Sequence, residues 1–485
     1  MSSVQGSHAI SARETSGAAT SASAKLISSN RKLHVAPLVA NPDAQRGAKV
    51  QPKTVENAIS DTTTVRPVML VPRQSSAATS GLPSARGASR GNLLLSSIAF
   101  QYYPLDLNSE SNPFIVSWWP RALADPALFH VSLQTASLDQ ELRSQKGFPI
   151  SELLMTDSVS LVRRKIEDSS LAFQDETVNS VVTLAAIEHG KGNVEASRMH
   201  VEGVKRIVSI RGGINEVKRT SPLTARMVSW ISLLVTGYPQ FQTQDDFGTG
   251  NGIDSTLQWQ LASMAPDLQE GVLDKLEIDP AIRNILTRLQ SIFHQPQLSC
   301  LTTTELHDLT CFVVHKLLLL PPLSPAQPKQ ASISECLRYA LVLYMLTIHG
   351  TTYYSHHYLV NTILLQLKRY FMTMAEENYT YGPLEIWAAS VGMVASTSTA
   401  DGQWFMDQAS TAAVGLSLHS WEDVLAHLET VLWVRTGREA AFREKWEEIV
   451  SKTNRRAVGL TGTSEKEQLL ADKWALLGAT ESSPN

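Results

Sequence analysis

The chain has 485 residues, of which 43% are hydrophobic, 18% charged and 7% aromatic, with three cysteines and a net charge of -4. That apolar share excludes a chain disordered throughout, and so few cysteines exclude a disulfide-stapled secreted scaffold. The slightly acidic balance excludes a global basic field for nucleic acid.

The charge is unevenly placed. Residues 1–93 carry eleven Lys/Arg and four Asp/Glu, a balance of +7, and the remainder carries -11. The first aromatic residue is Phe100, and the stretch before it is rich in Ser, Thr and Ala. A segment without aromatics buries too little apolar area to offset its ordering entropy, so residues 1–93 are expected to be a disordered basic tail. Such a tail reads either as solvated low-complexity sequence or as an arm that meets polyanions or an import receptor. Light proteolysis is expected to remove it first, with little change in thermal stability. No charged cluster followed by an apolar run marks a secretory signal, and the first thirty residues lack the apolar face of a mitochondrial presequence.

From Pro120 onward the apolar residues recur every three or four positions. Pro120–Ser144 predicts a helix that restarts at Pro126, and Ser151 reads as the cap of a second helix over Glu152–Asp168. Asp175 reads as the cap of a third, Glu176–Glu188, closed by Gly190 and Gly192. The fourth runs from Val194 to Ile210 and ends at Arg211-Gly212-Gly213, because glycine accepts the left-handed turn at a helix C-terminus. The fifth starts at Ser221-Pro222 and runs to Gly237. Tyr238–Leu257, with Pro239, Gly248, Gly250, Gly252 and Asp245-Asp246, reads as a long flexible acidic loop.

Helical spacing returns at Ala281–Phe293, Thr304–Leu320, Ser332–His349, Tyr358–Glu377, Gly382–Ser396, Trp404–Gly415, Trp421–Val434 and Arg438–Thr453. No alternating strand pattern and no fixed-period repeat is present. The expected fold is all-α: a multi-helix, bundle-like domain over residues 94–455, between the tail at 1–93 and a mostly polar segment at 456–485 with a short helix around Leu469–Leu477. The longest apolar stretches, Tyr339–Ile348 and Leu317–Leu320, are shorter than a bilayer span, so no membrane contact is expected. A soluble, intracellular protein in a reducing compartment is the expectation.

No linear motif carries chemistry. Cys300, Cys311 and Cys336 lack the close pairing of a zinc site and read as small buried hydrophobes. His349, His356 and His357 cluster without a carboxylate at ligand spacing and read as helix caps or surface residues. Asp246-Phe247-Gly248 spells a kinase motif without the other kinase elements, and the nearby glycines miss the phosphate-loop spacing. Trp118, Trp119, Trp230, Trp387 and Trp433 sit at helical spacing among aliphatic residues and read as core. Arg163-Arg164 and Arg455-Arg456 read as exposed helix faces. No catalytic, cofactor-binding or metal-ligating residue is assigned, no cofactor is expected, and the chain does not read as an enzyme.

One set of residues carries a family resemblance. It comprises Trp118-Trp119-Pro120, Asp125-Pro126-Ala127-Leu128-Phe129-His130, Asp175-Glu176-Thr177, Glu188-His189-Gly190 and Gly192-Asn193. It continues through Glu195-Ala196, His200, Gly203, Ile207-Val208, Arg211-Gly212-Gly213 and Pro239-Gln240-Phe241. The order resembles the fungal-specific transcription factor domain, over roughly residues 95–435 and most closely over 113–241. Val201-Glu202-Gly203-Val204 departs from the more usual Met/Leu-x-Gly-Leu.

The resemblance implies the regulatory region that follows a binuclear zinc cluster in fungal regulators. That cluster needs six cysteines, and residues 1–299 contain none. The implied function is therefore a nuclear transcription regulator without its own zinc cluster. It would act through other proteins, either the transcription machinery or a DNA-binding partner, and touch DNA only weakly or indirectly through the basic arm. Homodimerisation is compatible with this reading. Some relatives of this kind lie beside secondary-metabolite genes. Arg211 would serve the carbonyl-rich helix end and His200 would bridge to a neighbouring helix. Two alternatives stand beside it. One is an all-helical enzyme whose site draws on Glu188, His189, His200 and Asp245; the other is a helical scaffold outside the nucleus.

Overall fold

A computed structural model describes residues 111–262, 272–294, 301–323, 328–350, 356–376, 382–397, 401–435 and 438–453. The expected N-terminal tail, the C-terminal segment, Cys300 and Arg455-Arg456 lie outside the described residues. A five-residue π-helical turn, Phe114–Trp118, opens the description and leads into α1 (Trp119–Ala124). There follow α2 (Pro126–Ser144), α3 (Pro149–Glu167), α4 (Asp175–Gly190), α5 (Val194–Ile210), α6 (Ile214–Thr220) and α7 (Pro222–Thr236). After a loop come α8 (Leu257–Ala262), a 3-10 turn (Val272–Lys275), α9 (Pro280–His294), α10 (Thr303–Leu319) and α11 (Pro328–His349). The series ends with α12 (His357–Glu376), α13 (Pro383–Ala395), α14 (Gly402–Gly415), α15 (Trp421–Val431) and α16 (439–453). Among the described residues the only extended pairing is an isolated bridge between Thr243 and Ile253. The fold is all-α, as the spacing of apolar residues predicts.

The helix starts follow from local chemistry. Asp125 accepts from the Leu128 N–H and caps α2, and Asn193 accepts from Ala196 N–H and caps α5. Thr302 with Glu305, and Ser420 with Asp423, form reciprocal capping boxes on α10 and α15. Proline occupies the first turn of α2, α3, α7 and α13, where its missing N–H has no intrahelical acceptor to lose.

Two expected caps are corrected. Helix α3 begins at Pro149, two residues before Ser151. Ser151 is buried inside the helix, and the Glu141 carboxylate of α2 accepts the Ile150 N–H instead. Asp175 is the first residue of α4 and does not cap it; Gln174 stands at the cap position. Gly190 remains helical, and the turn falls on Gly192 at φ +85°. The short helices α6 and α8 have no counterpart in the predicted elements, since six or seven residues give too little periodicity to register.

The helices sort into two halves. In the first, α4 is the centre: nearly all its side chains are buried, and α2, α5 and α7 pack around it. In the second, α11 is the centre, packed by α10, α12 and α13, and α13 carries α14 and α15. The Gln330–His349 stretch of α11 is long and apolar enough to cross a membrane, yet most of it is buried among these helices. Helix α8 packs on α9 and belongs to the second half. One hydrophobic core cluster runs through both halves, and α7 meets α10 where they join.

Candidate functional site

The family-like residues converge on one carboxylate. Asp175 accepts from Arg121 (Nη1 to Oδ2, 3.1 Å), from Arg211 (Nη1 to Oδ1, 2.7 Å) and from the Ser221 hydroxyl. These donors come from α1, the end of α5 and the junction of α6 with α7, so one side chain ties four elements together. Burial works to raise the Asp175 pKa. The bonds from Ser221 and Arg211 and the charges of Arg211 and Arg121 outweigh it and hold the carboxyl below its usual range. A carboxylate held this way is a structural acceptor and a poor proton base.

The same contact explains the Arg-Gly-Gly turn. Arg211 caps α5 with its backbone N–H on the Ile207 carbonyl, while its guanidinium reaches Asp175 and, from Nη2, the Thr220 hydroxyl at 3.2 Å. Gly212 at φ +97° and Gly213 at φ +101° reverse the chain into α6, a geometry L side chains rarely adopt. The expectation that Arg211 serves its own helix end is therefore replaced by a cross-helix ion pair. Gly203 faces Val181 of α4, with room for a further methyl group between them.

A second polar cluster lies where the halves meet. Arg226 of α7 binds Asp308 of α10 through two bonds, Nε to Oδ1 at 2.7 Å and Nη2 to Oδ2 at 2.8 Å. Lys218 of α6 sits 3.5 Å from Asp254 and 3.8 Å from Asp308. Beside them, the Cys311 thiol lies 3.7 Å from the Ser229 hydroxyl. Trp230 lies between His307, met edge-on, and His349, met at a tilt, with ring centroids 5.2 and 4.9 Å away, and the two histidines share a 3.0 Å contact from His307 Nδ1 to His349 Nε2. Lys218, Arg226, Asp254, His307, Asp308 and Cys311 line a half-open pocket whose free volume is about 20 Å³. That is room for about one water, against the hundreds of Å³ of a small-molecule site.

Burial fixes the chemistry of these groups. It pushes His307 down to about 4 and His349 to about 3, so both are neutral at neutral pH. It pushes the Cys311 thiol up to about 12, which removes the thiolate that nucleophilic chemistry needs. Asp254 is raised by burial and by the nearby Asp308 charge, against the pull of Lys218. His349 is buried against Trp230, which corrects its reading as a cap or surface residue. Cys311 and Cys336 are buried. Among the described residues no group of three His, Cys, Asp or Glu side chains is placed to hold a metal ion.

The acidic loop is built rather than flexible. Asp246 accepts from Lys316 (2.8 Å), the Trp259 indole (3.0 Å) and Asn284 (2.9 Å), with Arg288 at 3.7 Å. Burial opposes ionisation there, and Lys316, Trp259 and Arg288 overcome it, so the pKa is lowered. Asp245 accepts from the Phe247 and Thr249 N–H groups and the Thr249 hydroxyl, closing the turn on itself. At Gly252 an added Cβ would lie 2.6 Å from the Gln242 carbonyl oxygen, so the two strands of the loop meet backbone to backbone. The loop is thereby fastened to α8, α9 and α10.

The four residues weighed for an enzyme have separate surroundings. Glu188 is buried near the end of α4, 3.5 Å from Lys191, and His189 meets the edge of Tyr358. His200 is half-buried on α5 and pushed down to about 4 by burial, and Asp245 is exposed and occupied by its own turn. Sequence reading missed Asp308, Arg226 and Lys218. Arg226 and Asp308 are 82 positions apart, and no local signal announces a pair at that separation.

No curated protein and no solved structure matches the chain. The resemblance drawn over roughly 95–435 is found over a shorter span. Residues 97–236 match the family model described as the fungal specific transcription factor domain, up to Thr236, the last residue of α7.

Proposed function

We propose that the protein is a transcription regulator whose helical body is a regulatory or effector region working through protein partners. The single observation that carries this reading is the family match over residues 97–236, in a family of transcription factor domains rather than enzymes. The chemistry of the body agrees with it. Its two charged clusters, around Asp175 and Asp308, are held by internal ion pairs, and the pocket beside Asp308 holds about 20 Å³. In this reading the chain works in the nucleus, residues 94–455 form the regulatory unit, and residues 1–93 supply a basic arm whose +7 balance favours weak contact with polyanions. Control of a secondary-metabolite gene cluster is a finer version of the same proposal.

Two experiments test it. Fusing the full chain to a heterologous DNA-binding domain should change transcription of a reporter carrying that domain's site, and an inert fusion would count against an effector role. Titration of the purified chain against specific and scrambled duplexes at two salt concentrations should give weak, salt-sensitive, sequence-blind binding. A sequence-selective, zinc-dependent nanomolar complex would contradict the proposal.

A further inference from the structure

The first helical run of the body has an apolar outward face. Over Phe114–Ala124 the buried residues are Phe114, Trp118 and Ala122, spaced four apart on the core side. The exposed residues are Val116, Pro120, Leu123 and Ala124, and all four are apolar. Arg121, the run's one charged residue, is turned to Asp175. An outward helix face is ordinarily polar, as on α3, which presents Glu152, Asp157, Arg163, Arg164 and Glu167 beside Leu153. An exposed apolar stripe rather marks a surface that something covers.

The chain carries a matching segment just before the stripe. Six of the ten residues 98–107 are large and apolar: Ile98, Phe100, Tyr102, Tyr103, Leu105 and Leu107. Residues 1–93 hold no aromatic side chain at all. Apolar surface this dense is costly to leave in water. The family match starts at residue 97, so the segment belongs to the matched domain and not to the basic arm.

Length and geometry suit a short return. Asn112 is fully buried, with its side chain accepting the Phe114 N–H, so the chain joins the run at a fixed point. Pro104 disfavours helical geometry at Tyr103, and the alternation of Tyr103, Leu105 and Leu107 gives an extended chain one apolar edge. Extended, Tyr103 to Leu107 spans about 13 Å, and Val116 to Ala124 on the helical run spans about 12 Å. Asn108, Ser109 and Ser111 suit the reversal between them.

We propose that residues 98–107 form a strap that lies along Val116, Pro120, Leu123 and Ala124 and covers this face, the basic arm leaving the body from its far end. The proposal rests on the stripe and on the extent of the family match, and does not depend on the regulator reading.

The test is limited chymotrypsin digestion of the full chain, read from fragment masses at Phe100 and Tyr102; Tyr103 is resistant in any case because Pro104 follows it. Both bonds should be cut at least about tenfold more slowly than in a free peptide of residues 94–110, since cleavage follows the released fraction. Leu123→Glu, at a position 62% exposed, should abolish most of that protection, and Leu105→Glu on the strap's own side should do the same. Leu123→Ala, which adds no charge to α1, should lose part of it. Leu365→Glu, 58% exposed on α12, should leave it in place. Helicity should match the parent chain throughout. Cutting in the parent chain as fast as in the peptide would overturn the proposal, as would full protection in Leu123→Glu and Leu123→Ala. Protection that rises with protein concentration would assign the stripe to a second copy and overturn it as well.

Discussion

The first half is built from small and branched side chains around α4, where Val178, Val182, Ala185, Ala186 and Ile187 are buried, and its helix ends meet at the charged Asp175 hub. In the second half the largest fully buried side chains are Trp259, Phe312, Tyr344, Trp387, Phe405, Phe442 and Trp446. Their polar tips are spent on connections. The Trp387 indole donates to the Leu432 carbonyl at 2.7 Å, the Trp446 indole to Ser390 at 2.8 Å, and the Tyr344 hydroxyl accepts the Val434 N–H at 2.8 Å. Small side chains let helices approach closely but offer few long-range contacts, so ions set their relative positions. Large aromatic side chains span wider gaps and carry their own hydrogen bonds, so in the second half rings share this task with ion pairs such as Lys316–Asp246 and Lys368–Asp401. The two halves should therefore fail under different perturbations.

Acid should separate them most. His307, His315, His349 and His356, all in the second half, are held neutral by burial, with folded pKa values of about 4, 4, 3 and 3. The unfolded chain binds protons on these groups near their ordinary value of 6.5, so the unfolded state gains protons as pH falls. Stability is present above about pH 6.5 and is lost progressively towards pH 4. The slope is roughly 1.4 kcal/mol per pH unit for each group that stays neutral, giving a combined loss on the order of 5 kcal/mol by pH 5 once coupling is allowed for. Asp175 has the opposite sense: its folded pKa is depressed, so its contribution persists until pH falls below the ordinary carboxyl value of 3.8. Chemical denaturation at pH 7 and pH 5 measures the loss, and an unchanged midpoint would contradict the burial of these histidines.

Truncating a large side chain should hit the second half next. Trp387→Ala removes a fully buried ring and its bond to Leu432, with an expected cost of about 3–5 kcal/mol in urea unfolding. Trp387→Phe should recover the packing and lose the hydrogen bond, leaving roughly 1–2 kcal/mol. In the first half the corresponding lesion is Asp175→Ala, which strands Arg121, Arg211 and Ser221 and should cost about 2–4 kcal/mol.

Glycine replacements give the smallest and most diagnostic contrast. At Gly392, on α13, an added Cβ would lie 2.4 Å from the Phe405 ring, so Gly392→Ala should destabilise by about 1–3 kcal/mol. At Gly203, on α5, the nearest atom is Val181 Cγ1 at 3.9 Å, and Gly203→Ala should stabilise the helix by roughly 0.5–1 kcal/mol. Thermal midpoints moving in the same direction for both would break the comparison.

The sequence disclosed what local chemistry controls. Val194–Ile210 is read with its observed ends, because an amphipathic run lies between Asn193 and the Arg-Gly-Gly turn. Pro126 and Pro222 mark helix starts for the same kind of reason. Asp175 shows the boundary of such reading: an acidic residue at a helix start looks like a cap, and only three distant donors reveal it as a hub. Trp230, His307 and His349 meet from three helices, and nothing near any of them in the chain signals the others. Asp246 likewise sits in a glycine-rich stretch that reads as flexible, while its anchors Trp259, Asn284 and Lys316 come from later helices.

The most direct measurement of the difference between the halves is hydrogen exchange on the full chain carrying Asp175→Ala, compared with the parent chain at pH 7. The account predicts faster exchange confined to α1–α7, with amides of α11 and α13 protected as before. Equal loss of protection in α4, α11 and α13 would contradict it, because the ion hub would then be holding the whole molecule rather than its first half.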